Sequence, residues 1–209
     1  MKRTLIVIAL IAALVAPVWA QNDGKTPDGF DWHKDGNVIW ILGYTGTATA
    51  VRIPDRINNL PVVRISDGAF EPGDGNTMIT SVVVPNTVTT IASMAFQNQS
   101  RLTTVTLSSS PTTIGGKAFM GCTALTSITL PSVTTIGVDA FNGCTALTTV
   151  SLPASITAIG ERAFRYCTAL TTIGLPASAT VTIGANAFAQ TNLDNASRVI
   201  LQQRGYTAF

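Results

Sequence analysis

Few side chains in this sequence have types and spacings that could do chemistry. Cys122, Cys144 and Cys167 stand 22 and 23 residues apart. A zinc site needs several thiolates or imidazoles together, and the chain has neither a C-x-x-C pair nor a histidine close to these cysteines. A disulfide between two of them would leave the third over. The reading preferred here is a column of small buried thiols that pack a turn. His33 is the single histidine and lies among Asp31, Lys34 and Asp35. Any Ser-His-Asp or Cys-His catalyst working near neutral pH would have to use it, but its setting is that of a solvated strand beside a turn. Glu71, Asp74 and Asn76 could offer oxygen ligands to calcium, yet their spacing completes no known loop. No catalytic residue, cofactor or metal is therefore assigned, and the chain is read as a non-enzyme.

The cysteine spacing belongs to a larger repetition. Ala-Phe recurs at Phe70, Phe96, Phe119, Phe141, Phe164 and Phe188, and these are six of the eight phenylalanines. An isoleucine stands five residues before each, from Ile65 to Ile183. Within a unit, Leu125, Ile128 and Leu130, or Leu147, Val150 and Leu152, set an apolar alternation of period two, which is a strand with one buried face. Pro54, Pro85, Pro131, Pro153 and Pro176 follow these strands, because proline cannot donate to a ladder. The I-G-x-x-A-F segment then turns the chain, with its glycine expected to supply a φ > 0 conformation. One such unit cannot cover its own apolar face, so the units must stack as a solenoid.

Ends and charges complete the organisation. Lys2 and Arg3 precede an apolar run from Leu5 to Val15, and Val18-Trp19-Ala20 suits signal cleavage before Gln21. Residues 1–20 are expected to be a signal peptide, 21–29 a flexible mature N-terminus, and 30–209 the repeat domain. Within that domain, 30–45 form an N-terminal hairpin cap turning at Asp35-Gly36, 46–191 carry about six repeats, and 192–209 a C-terminal helical cap. No other stretch is apolar for long enough to span a bilayer. The sequence has 13 Lys+Arg against 11 Asp+Glu, and losing Lys2 and Arg3 leaves 11 against 11. That balance gives no electrostatic footprint for nucleic acid.

The unit L-x-x-I-x-L-P-x-x-Φ-x-x-I-G-x-x-A-F-x-x-C resembles the BspA-like, or Treponema-type, bacterial surface leucine-rich repeats. Gly43-Tyr44-Thr45-Gly46-Thr47-Ala48-Thr49 is similar to that family's usual opening segment. The resemblance implies a curved right-handed solenoid with a parallel sheet on its concave side and short turn or helical returns. It also implies adhesion, or binding of host or matrix proteins.

On the solvent side of the strands, the outward positions run Ala50 and Arg52, Ser81 and Val83, Thr104 and Thr106, Ser127 and Thr129, Thr149 and Ser151, Thr172 and Gly174. Threonine suits an exposed strand by propensity alone, but Thr104, Thr106, Ser127, Thr129, Thr149 and Ser151 would also form one uncharged hydroxyl patch. The functional expectation is an exported module, secreted, periplasmic or at the cell surface, that binds an extracellular protein or glycan with this patch. The alternative is a structural envelope protein that assembles with copies of itself.

Overall fold

The structure is a computed structural model that describes residues 22–73, 78–107, 109–110, 112–176 and 180–209. The expected signal peptide, Gln21, Asp74 and Asn76 lie outside the described residues. In chain order the strands are β1 (Asp23–Lys25), β2 (Phe30–Asp35), β3 (Val38–Tyr44), β4 (Ala50–Arg52), β5 (Arg56–Ile57), β6 (Leu60–Ile65), β7 (Ser81–Val84) and β8 (Thr90–Ile91). They continue with β9 (Thr104–Leu107), β10 (Thr112–Ile114), β11 (Ser127–Thr129), β12 (Val133–Ile136), β13 (Thr149–Ser151), β14 (Ala158–Ile159), β15 (Thr172–Gly174) and β16 (Thr182–Ile183). One helix, α1 (Asn195–Gln202), closes the chain.

The expected Leu-x-x-Φ-x-L strands form the front sheet, six strands in the order β15-β13-β11-β9-β7-β4. Its neighbours are parallel and in register, so Thr104, Ser127 and Thr149 stand opposite one another, as do Thr106, Thr129 and Ser151. Val82, Val105, Ile128, Val150 and Ile173 alternate with them and are buried. Period-two patterning thus delivers a sheet with one wet face, as a half-buried strand requires.

The return path carries a second ladder, where turns or short helices are expected from the repeat pattern. Strands β6, β8, β10, β12, β14 and β16 pair in parallel, and antiparallel β1-β2-β3 begins this return sheet. The segments expected to be turns or helices are therefore partly extended. Strands as short as the two-residue β8, β14 and β16 show no readable alternation. The register that aligns the front strands also aligns them.

Between the sheets the six repeat phenylalanines stack along the solenoid. Successive ring centroids from Phe70 to Phe188 are 4.7, 5.1, 5.2, 5.1 and 5.3 Å apart, and the last four pairs are parallel within 5°. Each such pair adds roughly 0.5–1.5 kcal/mol beyond its burial. The backbone follows: Phe96, Phe119, Phe141 and Phe164 each donate an N–H to the next repeat's alanine carbonyl at 2.7–2.8 Å. Both ends of the stack are closed by tyrosine. Tyr44 stacks on Phe70 at 5.6 Å, and the Tyr206 ring meets Phe188 edge-on at 5.6 Å. The Tyr206 hydroxyl also accepts the Phe188 N–H at 2.8 Å, taking the place that the next repeat's alanine carbonyl holds at the earlier phenylalanines.

Two expectations need correction. Residues 21–29, read as flexible, contribute β1, which pairs with β2 through Asp23–His33 and Lys25–Asp31. Three largely polar residues give no strand signal. What makes the pairing possible is Gly24, whose missing side chain leaves room for the Trp32 ring. The second correction concerns Gly115, Gly137, Gly160 and Gly184 of the I-G-x-x-A-F segment. None has a positive φ; the left-handed residues of that segment are Lys117 (φ 58), Asp139 (φ 57), Arg162 (φ 55) and Asn186 (φ 55). The glycines are needed for stacking instead, since a Cβ on Gly137 would lie 2.5 Å from the Gly116 nitrogen of the preceding repeat.

Candidate binding face

All six hydroxyl residues singled out in the sequence, Thr104, Thr106, Ser127, Thr129, Thr149 and Ser151, are exposed on the front sheet. They form two columns on three adjacent strands, β9, β11 and β13, with strand spacing of roughly 4.7–4.9 Å. No charged residue interrupts them. Arg52 ends one column at β4, and Gly174 ends it at β15.

A neighbouring threonine column shows what hydroxyls do here when they serve the fold. Just before each front strand, Thr80 donates to the Thr49 carbonyl at 3.2 Å, Thr103 to Thr80 at 3.0 Å, Thr148 to Thr126 at 3.3 Å and Thr171 to Thr148 at 3.4 Å. Those side chains tie successive repeats together. The six outward hydroxyls make no such bond to the described protein. Each keeps a donor and two acceptor lone pairs for something outside it.

Comparison with known proteins fixes the family. A profile described as the BspA type leucine rich repeat region matches residues 63–194 in 6 copies. The chain belongs to this BspA-type leucine-rich-repeat family. Among solved structures, the leucine-rich-repeat protein of T. pallidum is 27% identical with a TM-score of 0.73, covering 89% of this chain and 98% of that one. A leucine-rich cell-surface protein of Faecalibacterium prausnitzii is 30% identical with a TM-score of 0.69 over 82% of this chain. One leucine-rich-repeat protein of Eubacterium ventriosum is 25% identical with a TM-score of 0.64 over 83% of this chain. This chain spans 55% and 51% of the latter two proteins. A search of curated protein sequences gives no match.

The other chemical candidates occupy structural places in this BspA-type scaffold. Cys122, Cys144 and Cys167 are buried free thiols. Their Sγ atoms donate to the carbonyls of Phe96, Phe119 and Phe141, one repeat back, at 3.1, 3.2 and 3.1 Å. Gln99 holds the same repeat position, donating to the Phe70 carbonyl and accepting the Ile79 N–H at 2.9 Å. Burial pushes the Cys122 and Cys167 thiols up to about 12 and the Cys144 thiol well above its ordinary value. These are the opposite of nucleophilic cysteines, which need a stabilised thiolate.

His33 lies 2.5 Å from the Asp23 carboxylate and packs beside Trp40, with centroids 5.7 Å apart. That contact joins β1 to β2 and β3 in the cap. Arg162 chelates Asp139 from the adjacent repeat at 3.0 and 3.2 Å. Its guanidinium holds that carboxyl below the usual carboxylate range, with help from the Asn142 amide. Among the described residues, no three His, Cys, Asp or Glu side chains converge in an arrangement suited to a metal ion. No helix among them is long and apolar enough to cross a membrane.

Proposed function

We propose that this chain is a secreted or cell-surface module that binds a separate protein through the exposed face of its front sheet. The observation that carries the reading is the contrast between two sets of hydroxyls. The threonines before the strands spend their donors on the fold, whereas the six outward groups are aligned, uncharged and free to bond elsewhere. Membership of the BspA-type repeat family, together with similarity to a leucine-rich cell-surface protein of Faecalibacterium prausnitzii, supports export and partner binding. Such solenoids present extended surfaces on rigid repeats. The face lacks the tryptophan, tyrosine and arginine anchors of tight interfaces, so its affinity is moderate and comes from many small contacts.

End-to-end stacking of copies, the self-assembling alternative, is opposed at the C-terminal end. There Ser197 of α1 accepts the Ile173 N–H at 3.1 Å and Tyr206 covers Phe188. The end of the array is finished by side chains that another copy would have to displace.

Surface plasmon resonance against immobilised extracellular-matrix proteins tests the reading. Thr129→Arg with Ser151→Arg places two unpaired charges in the contact, each costing several kcal/mol, and abolishes moderate binding. The control is Thr113→Arg with Thr182→Arg, which adds the same charge to exposed positions of the return sheet. Arg162 is unsuitable as a control, because removing it strands the Asp139 carboxylate. Equal binding by both double variants contradicts the front face as the site. Export is checked by the intact mass of the protein from an exporting host, which should begin at Gln21.

A further inference from the structure

The two ends of the front sheet are finished differently. At β15 the C-terminal cap engages backbone groups along the outer edge: Ile173 N–H with Ser197, and, just before the strand, the Thr171 carbonyl with the Asp194 N–H at 2.9 Å and the Leu170 carbonyl with the Asn192 N–H at 3.0 Å. At β4 the ladder stops. Bonds to β7 use the Thr49 carbonyl and the Ile53 N–H. Backbone groups in a parallel ladder alternate sides residue by residue, so Ala50 and Arg52 aim their N–H and C=O away from β7. No described strand pairs with them.

That edge is not a bare flank. A cleft of about 540 Å³ runs along it, walled by the Lys25–Phe30 turn and by Tyr44–Ala48. The wall is fixed in place. Thr45 donates its N–H to the Gly29 carbonyl at 2.9 Å, Phe30 donates to the Thr26 hydroxyl at 2.9 Å, and the Tyr44 hydroxyl donates to the Ala48 carbonyl at 3.1 Å. Gly29 and Gly46 approach so closely that a Cβ on either would collide with the facing loop. The Gly-Tyr-Thr-Gly-Thr-Ala-Thr segment is therefore a preformed side of a slot, and its open side is the strand edge.

We propose that the β4 edge binds an extended peptide segment of another protein as an added parallel strand, with an acidic side chain of that segment opposite Arg52. Strand addition gains affinity from main-chain hydrogen bonds and selectivity from alternate side chains. The occupant's charge follows from Arg52, which is exposed and the one charged residue in its column. An ion pair across neighbouring strands suits it. The Lys25–Phe30 turn and the Tyr44–Ala48 segment flank the edge, which favours a single extended peptide over a second solenoid as the occupant. A short edge strand with a charge also discourages self-pairing. This site is separate from the hydroxyl face, and the proposal does not depend on that face having a ligand.

The probe is the peptide acetyl-Leu-Thr-Thr-Val-Glu-Leu-Pro-amide, which copies residues 147–153 with glutamate in place of Ser151. Its counterpart has lysine at that place. Titration followed by amide NMR should move the Ala50 and Arg52 resonances downfield and leave Thr129 and Ser151 unmoved. The glutamate peptide should bind roughly fivefold tighter than the lysine peptide, and Arg52→Glu should reverse the order. Ala50→Pro removes an N–H that the fold does not use and abolishes binding of both peptides. The Arg52→Glu reversal carries the test where that proline disturbs folding. Three results overturn the proposal. They are unmoved Ala50 and Arg52 amides at millimolar peptide, shifts confined to the front face, and protection of those two amides by concentration-dependent dimerisation without peptide.

Discussion

Each repeat thiol reaches one repeat back with its S–H, and the protein meets these sulfurs as small apolar groups that happen to donate. The consequence is a pH dependence with a definite sign. Folded thiols that titrate at about 12 (Cys122 and Cys167) keep their protons where unfolded thiols, near 8.5, lose theirs. Above about pH 9 the unfolded chain binds fewer protons than the folded one, so stability falls as pH rises, by up to about 1.4 kcal/mol per unit for each thiol. Thermal unfolding between pH 8 and pH 10.5 should show a steeper decline for the wild type than for a variant with all three cysteines changed to alanine. Thiol titration should find no reaction in the native protein and three free groups in guanidinium. The cysteine column itself was readable from its spacing, but the role of the repeat glycines was not. A sequence shows a glycine and suggests a turn; only stacked neighbours reveal that Gly137 is needed because another backbone lies against it. Gly137→Ala should accordingly cost about 2 kcal/mol or more through overpacking. Gly143→Ala, at φ 76 with no atom closer than 3.9 Å, should cost only about 1–2 kcal/mol. Urea midpoints of the two variants decide this, and equal costs would contradict the stacking explanation.

Elements here are short and borrow their stability from the next repeat. The front strands were legible because Leu, Ile and Val alternate with Thr and Ser. The return strands were not, because β8, β14 and β16 are too short to carry a period and are held by parallel alignment with neighbours. The hydroxyl patch was legible as a list of outward positions. Its distinction from the adjacent, bonded threonines was not, since Thr103-Thr104, Thr126-Ser127 and Thr148-Thr149 pair two small hydroxyl residues and only the direction of the side chain separates them. The C-terminal cap shows how an element substitutes for a missing repeat. Tyr206→Phe should keep the ring against Phe188 and lose the acceptor for a buried N–H, at about 1–3 kcal/mol. Differential scanning calorimetry of that single variant measures it, and an unchanged melting temperature would mean that water serves the Phe188 N–H equally well.

At the scale of the whole molecule, the aromatic stack is the continuous part of the core. Phe141 lies fully buried between Phe119 and Phe164, so Phe141→Ala should destabilise by about 3–5 kcal/mol. Phe141→Asp, an unpaired carboxylate in the same place, should prevent folding. Circular dichroism and guanidinium titration test both, and wild-type behaviour of either would break the proposed repeat register. In the interior repeats, the front and return strands bond to the repeat before and the repeat after. A force pulling the two ends of the solenoid apart along its axis would therefore cross all repeat boundaries in series. Each boundary feels the full tension, and the weakest opens first while the others hold. Opening one boundary frees one repeat, whose 22 to 26 residues extend to roughly 75–90 Å. Anchored at one end and gripped at the other, this molecule would behave as an extensible tether that yields in steps, absorbing a pull that would snap a rigid link.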